Sequence, residues 1–176
     1  DLGRTAESLR EFDIALKSPP PGFTEDDINF QKIFTNLQAG NSDIAIKELR
    51  KFINTYPNNL KLLQQYTWTL SFFEESALNE AKQLINMHPE FENDPLLKLV
   101  QARIALKSSD METAYNKYCD CIHDWCDSPV FWCGLGVLYF KNDQFQDALI
   151  AFQRALYQKA EIAEAWLNIG YIFESM

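Results

Sequence analysis

Ser128-Pro129-Val130-Phe131-Trp132-Cys133-Gly134-Leu135-Gly136-Val137-Leu138-Tyr139 is the stretch that decides the fold, together with Ala148, Phe152 and Ala155 shortly after it. Trp132, Leu135, Gly136 and Tyr139 stand at i, i+3, i+4 and i+7, which puts them on one stripe of a helix. Ala148, Phe152 and Ala155 form a matching stripe on a second helix. Gly136 and Ala148 allow two backbones to approach closely, and the large residues fill the space on either side. Asp127-Ser128-Pro129 supplies an N-cap residue and a proline for the first helical turn, and Asn142-Asp143 falls where one helix gives way to the next.

Sliding the chain over itself shows a period. Trp132 and Trp166 are 34 residues apart, as are Gly136 and Gly170. Moving back from Ala148, Phe152 and Ala155 by the same step reaches Ala114, Tyr118 and Cys121. The pattern W-x2-L-G-x2-Y followed by A-x3-F-x2-A is the signature of the tetratricopeptide repeat, a helix–turn–helix unit. It predicts an all-α solenoid of antiparallel helix pairs with a right-handed superhelical twist, ten helices and no strands.

Earlier repeats are less regular. Gly40, Ala45, Leu49 and Pro57 take the turn, small, large and terminal-proline positions of a repeat over 24–57. Thr24 is its N-cap, ahead of the acids Glu25, Asp26 and Asp27, and Phe23 and Ile28 have the spacing of a hydrophobic staple. Repeats over 58–89, 94–126 and 127–160 follow. The first of these is shortened, and Lys98 stands at the tryptophan position of the second. Residues 1–17 fit the second helix of a truncated repeat, Ser18-Pro19-Pro20-Pro21-Gly22 breaks that helix, and 161–176 fits the first helix of a further repeat. The whole chain, 1–176, thus reads as one array cut from a longer solenoid. The expected repeat core is Ala45, Pro57, Ala114, Tyr118, Trp132, Leu135, Gly136, Tyr139, Ala148, Phe152, Ala155, Trp166 and Gly170.

Composition narrows the function. The 176 residues carry 16 Lys+Arg against 25 Asp+Glu, a net charge of −9. That sign disfavours nucleic acid and anionic membranes as direct ligands. No apolar run approaches the ~18 residues of a membrane span, and Asp1 to Phe12 lack the apolar stretch of a signal peptide. All four cysteines fall between Cys119 and Cys133, a clustering that predicts reduced, buried thiols rather than a disulfide framework. Cys119 and His123 could share a helix face, but their spacing matches no common zinc pattern. His123 adjoins Asp124 in sequence, and adjacent helical residues do not face each other, so the two make a poor base–orienter pair. Paired acids such as Glu74-Glu75 read as solvated helix ends. No catalytic residues, metal, cofactor or small-molecule substrate are expected, and the chain reads as a non-enzyme.

First-helix positions not claimed by the repeat core are the candidate protein-binding surface. On the concave face these are Phe30, Phe34 and Leu37, then Leu99, Arg103 and Leu106, then Val137 and Phe140, and finally Leu167 and Tyr171. Val130 and Cys133 continue the same line.

The segment 128–139 resembles the repeat in the TPR subunits of the fungal-type general transcriptional corepressor, and a similar segment occurs in the TPR region of the histone demethylase UTX. The likeness continues through Asp147-Ala148-Leu149, Arg154-Ala155 and Glu164-Ala165-Trp166, and upstream through Asn59-Leu60-Lys61-Leu62-Leu63-Gln64-Gln65. The resemblance implies a nuclear, non-enzymatic adaptor with a WD40-type corepressor subunit and DNA-binding transcription factors as partners, and no direct contact to DNA. Two alternatives stand beside it: the non-catalytic region of a UTX-like chromatin enzyme, and a co-chaperone module. A co-chaperone clamp on an acidic tail needs Lys and Asn at inner positions, where this chain has Phe30, Phe34, Cys133 and Val137; only Asn168 is compatible.

Overall fold

The computed structural model describes residues 2–73 and 75–176; Asp1 and Glu74, the latter part of the predicted solvated pair, lie outside the described residues. Among the described residues are ten α-helices, one 3-10 turn and no strand. The helices are α1 (Leu2–Lys17), α2 (Glu25–Gln38), α3 (Ser42–Thr55), α4 (Leu60–Leu70) and α5 (Glu75–Asn86). After the 3-10 turn Pro89–Phe91 come α6 (Pro95–Lys107), α7 (Met111–Trp125), α8 (Pro129–Lys141), α9 (Phe145–Gln158) and α10 (Ala163–Ser175). The chain divides into two compact units, residues 1–69 and 70–176, and the division falls near the end of α4.

In the first unit α2 packs against both α1 and α3. α1 stops at Lys17, where the Pro19-Pro20-Pro21 run denies the helix further N–H donors. α2 starts with a reciprocal capping box. The Asp27 N–H donates to Thr24 Oγ1 at 3.2 Å, and the Thr24 N–H donates to Asp27 Oδ2 at 2.9 Å. The expected staple is not drawn tight: Ile28 is buried, but Phe23 stays 59% exposed. Ala45, Leu49 and Ile53 bury the inner stripe of α3, whereas Pro57 is exposed beyond the end of that helix and is not a core residue.

In the second unit α6 and α7, then α8 and α9, pair as hairpins, and α10 packs on α9 and α8. α6 and α8 also touch, so the first helices form one layer with the second helices behind them. Ala114, Tyr118 and Cys121 of α7 and Ala148, Phe152 and Ala155 of α9 are fully buried. α5 buries Leu78, Ala81 and Ile85.

Three of the hairpin turns share one geometry. Gly40, Ser109 and Asp143 all take positive φ (80°, 60° and 58°) at the first position after the helix cap. The following N–H reaches back five residues in each case: Asn41 to Asn36 O, Asp110 to Ala105 O and Gln144 to Tyr139 O, all at 2.9 Å. The left-handed residue itself donates three residues back, so each turn is a Schellman motif that satisfies the last carbonyls of the first helix.

Candidate protein-binding surface

The predicted inner line separates into residues that face solvent and residues consumed by packing. α6 is apolar almost all round, and Leu97, Leu99, Val100, Ala102, Ile104, Ala105 and Leu106 are all buried. Leu99 and Leu106 are therefore core, not groove: α5, α7 and α8 cover α6 on different sides. Val137, Phe140 and Cys133 are half-buried against the core around Ala148, Phe152, Ala165 and Ile172. Leu167 (58%) and Tyr171 (48%) on α10 are exposed, and so is Val130 at the start of α8. In the first unit Phe34 is exposed, while Phe30 and Leu37 are half-buried.

Arg103 shares this region of α6 and is mostly buried. Its guanidinium lies 4.3 Å from the centroid of the exposed Phe72 ring, and its Nε donates to Ser71 Oγ at 3.2 Å. Desolvation lowers its pKa, though a guanidinium stays charged at any physiological pH. Lys107 and Lys141, 34 residues apart, repeat one further contact. Their Nζ groups donate to the carbonyls of Phe73 (3.0 Å) and Leu106 (3.2 Å) respectively, so each lysine is engaged near a neighbouring helix end.

The tryptophans have a polar role that the period alone did not reveal. Trp132 Nε1 donates to Cys126 O at 2.6 Å, and Trp166 Nε1 donates to Ala160 O at 2.9 Å. Each indole thus bonds the carbonyl six residues earlier, just past the end of the preceding helix, and ties one hairpin to the next. The Arg154 guanidinium from α9 lies 4.6 Å from the Trp132 ring. Trp166 and Gly170, expected as core, are exposed: within this chain no helix after α10 carries counterparts of Arg154, Ala148 and Phe152. Tyr139 is half-buried rather than sealed.

Gly134 makes room for an aromatic ring from α7. A Cβ there would lie 2.2 Å from the Tyr118 hydroxyl, so the absence of a side chain makes room for that ring. The Tyr118 hydroxyl is buried without a hydrogen-bond partner, and burial drives its pKa upward. Gln101 Oε1 on α6 is likewise buried and unpartnered.

All four cysteines are free thiols, but only Cys121 is buried; Cys133 is half-buried, and Cys119 on α7 and Cys126 just past its end are exposed. Burial pushes both Cys121 and Cys133 up to about 11, which keeps them protonated and unreactive at neutral pH. Among the described residues no three His, Cys, Asp or Glu side chains converge as metal ligands. No helix among them is long and apolar enough to cross a membrane. His88 is buried at the start of the 3-10 turn, its Nδ1 3.0 Å from Glu90 Oε1 and its ring stacked on Phe91.

The helix pairing and the three repeated turns can be compared with known structures. TTC0263, a thermophilic TPR protein of Thermus thermophilus, superposes with a TM-score of 0.71 at 17% identity, covering 98% of this chain and 92% of its own. The fold is the tetratricopeptide-repeat fold. MamA is similar at a TM-score of 0.59 and 17% identity, covering 80% of this chain and 81% of its own. In sequence, PEX5-related proteins of Rattus norvegicus and Homo sapiens are each 26% identical over 147 residues, or 77% of this chain. The TPR chain spans about a quarter of the length of these relatives (24% of each). No family model matches it.

Proposed function

We propose that this TPR chain is a non-enzymatic scaffold within a nuclear transcriptional corepressor adaptor. Its partners in this reading are a WD40-type corepressor subunit and DNA-binding repressors. One observation supports the scaffold: Leu167 and Tyr171 stand exposed on the first-helix layer of the second unit, alongside half-buried Val137 and Phe140. An apolar strip of this kind is suited to a partner helix or extended segment. The corepressor assignment is supported by the Phe131-Trp132-Cys133 stretch and its neighbours in sequence. The adaptor itself would be nuclear, and its acidic charge suits basic partners rather than DNA.

A second reading is favoured by the PEX5-related likeness over 77% of the chain: a TPR adaptor outside transcription. A UTX-like chromatin enzyme with its chemistry elsewhere in a longer protein is compatible with the same scaffold. Affinity capture from nuclear and cytoplasmic extracts distinguishes these readings. Wild-type protein is compared with Leu167→Glu/Tyr171→Lys, both exposed positions. The corepressor reading expects a WD40 subunit and sequence-specific DNA-binding proteins in the nuclear capture, lost in the variant. A cytoplasmic partner set, with none of these, overturns the corepressor assignment while leaving the scaffold standing. An unchanged partner set from a folded variant removes the α10 strip from the binding surface.

A further inference from the structure

A cleft of about 530 Å3 opens in the first unit between the start of α2, the end of α3 and the start of α4. Four aromatic side chains line it: Phe23, Phe30, Phe52 and Tyr56. Phe52 and Tyr56 stack, with ring centroids 6.5 Å apart and planes 27° from parallel. Phe23 arrives from the proline turn, where its N–H donates to Pro20 O at 3.2 Å and Gly22 takes a φ of +88°. That turn, rather than core packing, holds the largely exposed Phe23 ring at the cleft.

Two carboxylates, Asp26 and Asp27, line the same space. Asp27 is engaged by Thr24 in the capping box. Asp26 accepts a hydrogen bond from the Tyr56 hydroxyl, which anchors that ring at the rim. The same bond, followed by the Asp26 charge, raises the Tyr56 pKa, which keeps the proton on the phenol. Lys61 is the one base among the lining residues, so a bound cation must sit toward Asp26 and away from it.

The chemistry of this lining selects its ligand. Aromatic faces carry negative quadrupole density, and with two carboxylates they make the cleft attractive to positive charge. A hard metal ion would need several converging oxygens, which rings cannot supply. A neutral aliphatic group would cover the rings but desolvate the carboxylates without compensation. A weakly hydrated organic cation satisfies both components, and a chain of net charge −9 draws basic segments toward itself. We propose that the Phe23–Phe30–Phe52–Tyr56 cleft with Asp26 receives an organic cation, the guanidinium of an arginine or the methylated ammonium of a lysine, carried on a basic segment of a partner protein.

Titration of the 15N-labelled chain with three capped peptides tests this: Ac-Gly-Arg-Gly-NH2, its trimethyl-lysine counterpart and its norleucine counterpart. The proposal expects amide shifts at Phe23, Asp26, Phe30 and Tyr56 with at least one cationic peptide, bound about tenfold tighter than norleucine. Whichever cation binds more tightly identifies the preferred group. Phe23→Ala and Asp26→Asn should each weaken that binding about fivefold. Both positions are exposed, and Asn retains an oxygen for the Tyr56 hydroxyl, so circular dichroism should remain unchanged. Leu167→Glu should leave the titration as in wild type. Equal binding of norleucine, absence of shifts with both cationic peptides, or undiminished binding in both cleft variants overturns the proposal.

Discussion

A Cβ placed on Gly136 would come within 2.8 Å of the Phe152 ring. The glycine and the aromatic are one joint: the bare backbone of α8 admits the ring edge from α9, and Phe152 is fully buried as a result. Gly136→Ala should therefore destabilise the protein by about 1–2 kcal/mol, the overpacking cost exceeding the gain in helix propensity. Gly170 stands at the same register 34 residues later with no atom in reach of a Cβ. Gly170→Ala should stabilise by up to about 1 kcal/mol, since only the propensity gain remains. Urea denaturation of the two variants checks the contrast, which should be opposite in sign.

The hairpin turns give a second test. Gly40→Ala meets no atom within 4 Å, so its cost is purely that of a left-handed backbone, about 1 kcal/mol. Ser109→Gly at the equivalent turn should stabilise by about 0.5 kcal/mol, the relief of backbone strain outweighing the extra entropy of glycine in the unfolded chain. Thermal melts of both variants read the difference directly.

Trp132 combines volume with a cap. Trp132→Ala should cost about 3–5 kcal/mol through the cavity it leaves. Trp132→Phe retains much of the volume but forfeits the indole bond to Cys126 O, and should cost about 1–2 kcal/mol. Chemical denaturation separates the two contributions.

The pH dependence follows from three exposed carboxylates. Hydrogen bonds from Thr24 to Asp27, His88 to Glu90 and Thr113 to Asp110 hold these groups below their ordinary values when folded. Their stabilisation is complete above the unfolded carboxylate range and disappears as pH falls through it toward the lower folded values. The melting temperature should drop below about pH 4.5 on this account. Asp110→Asn keeps a capping oxygen but cannot titrate, so its melting curve should fall less steeply with acid.

Thiol labelling at pH 7.4 should modify Cys119 and Cys126 first, and Cys121 only after unfolding. Mass spectrometry with and without denaturant reports the order.

Much of the second unit was legible in its 34-residue step. Trp132, Gly136, Ala148 and Phe152 declare a helix pair because close packing of two helices demands small residues opposite large ones at fixed spacing. The groove was less legible. Carrying one register forward puts Leu99 and Leu106 in the groove, although Leu97, Val100, Ala102, Ile104 and Ala105 around them leave α6 apolar on most sides, with Lys98, Gln101 and Arg103 half-buried and Lys107 exposed. Ser109 and Asp143 also carried a usable signal, since they share the register of the turn, but only Gly40 announces a left-handed backbone by its identity. The aromatic cleft had no linear signature. Phe23, Phe30, Phe52 and Tyr56 come from separate segments and meet only through tertiary packing.

The enclosure of α6 also sets the tempo of the second unit's breathing. Amide deuteration should begin along α10, where Trp166, Leu167, Tyr171 and Phe173 are exposed. The peptide groups between Val100 and Leu106 would surrender their protons last, only when the entire unit opens. Exchange at those seven positions therefore reports global unfolding of the second unit, and serves as an internal clock against which every looser segment can be timed.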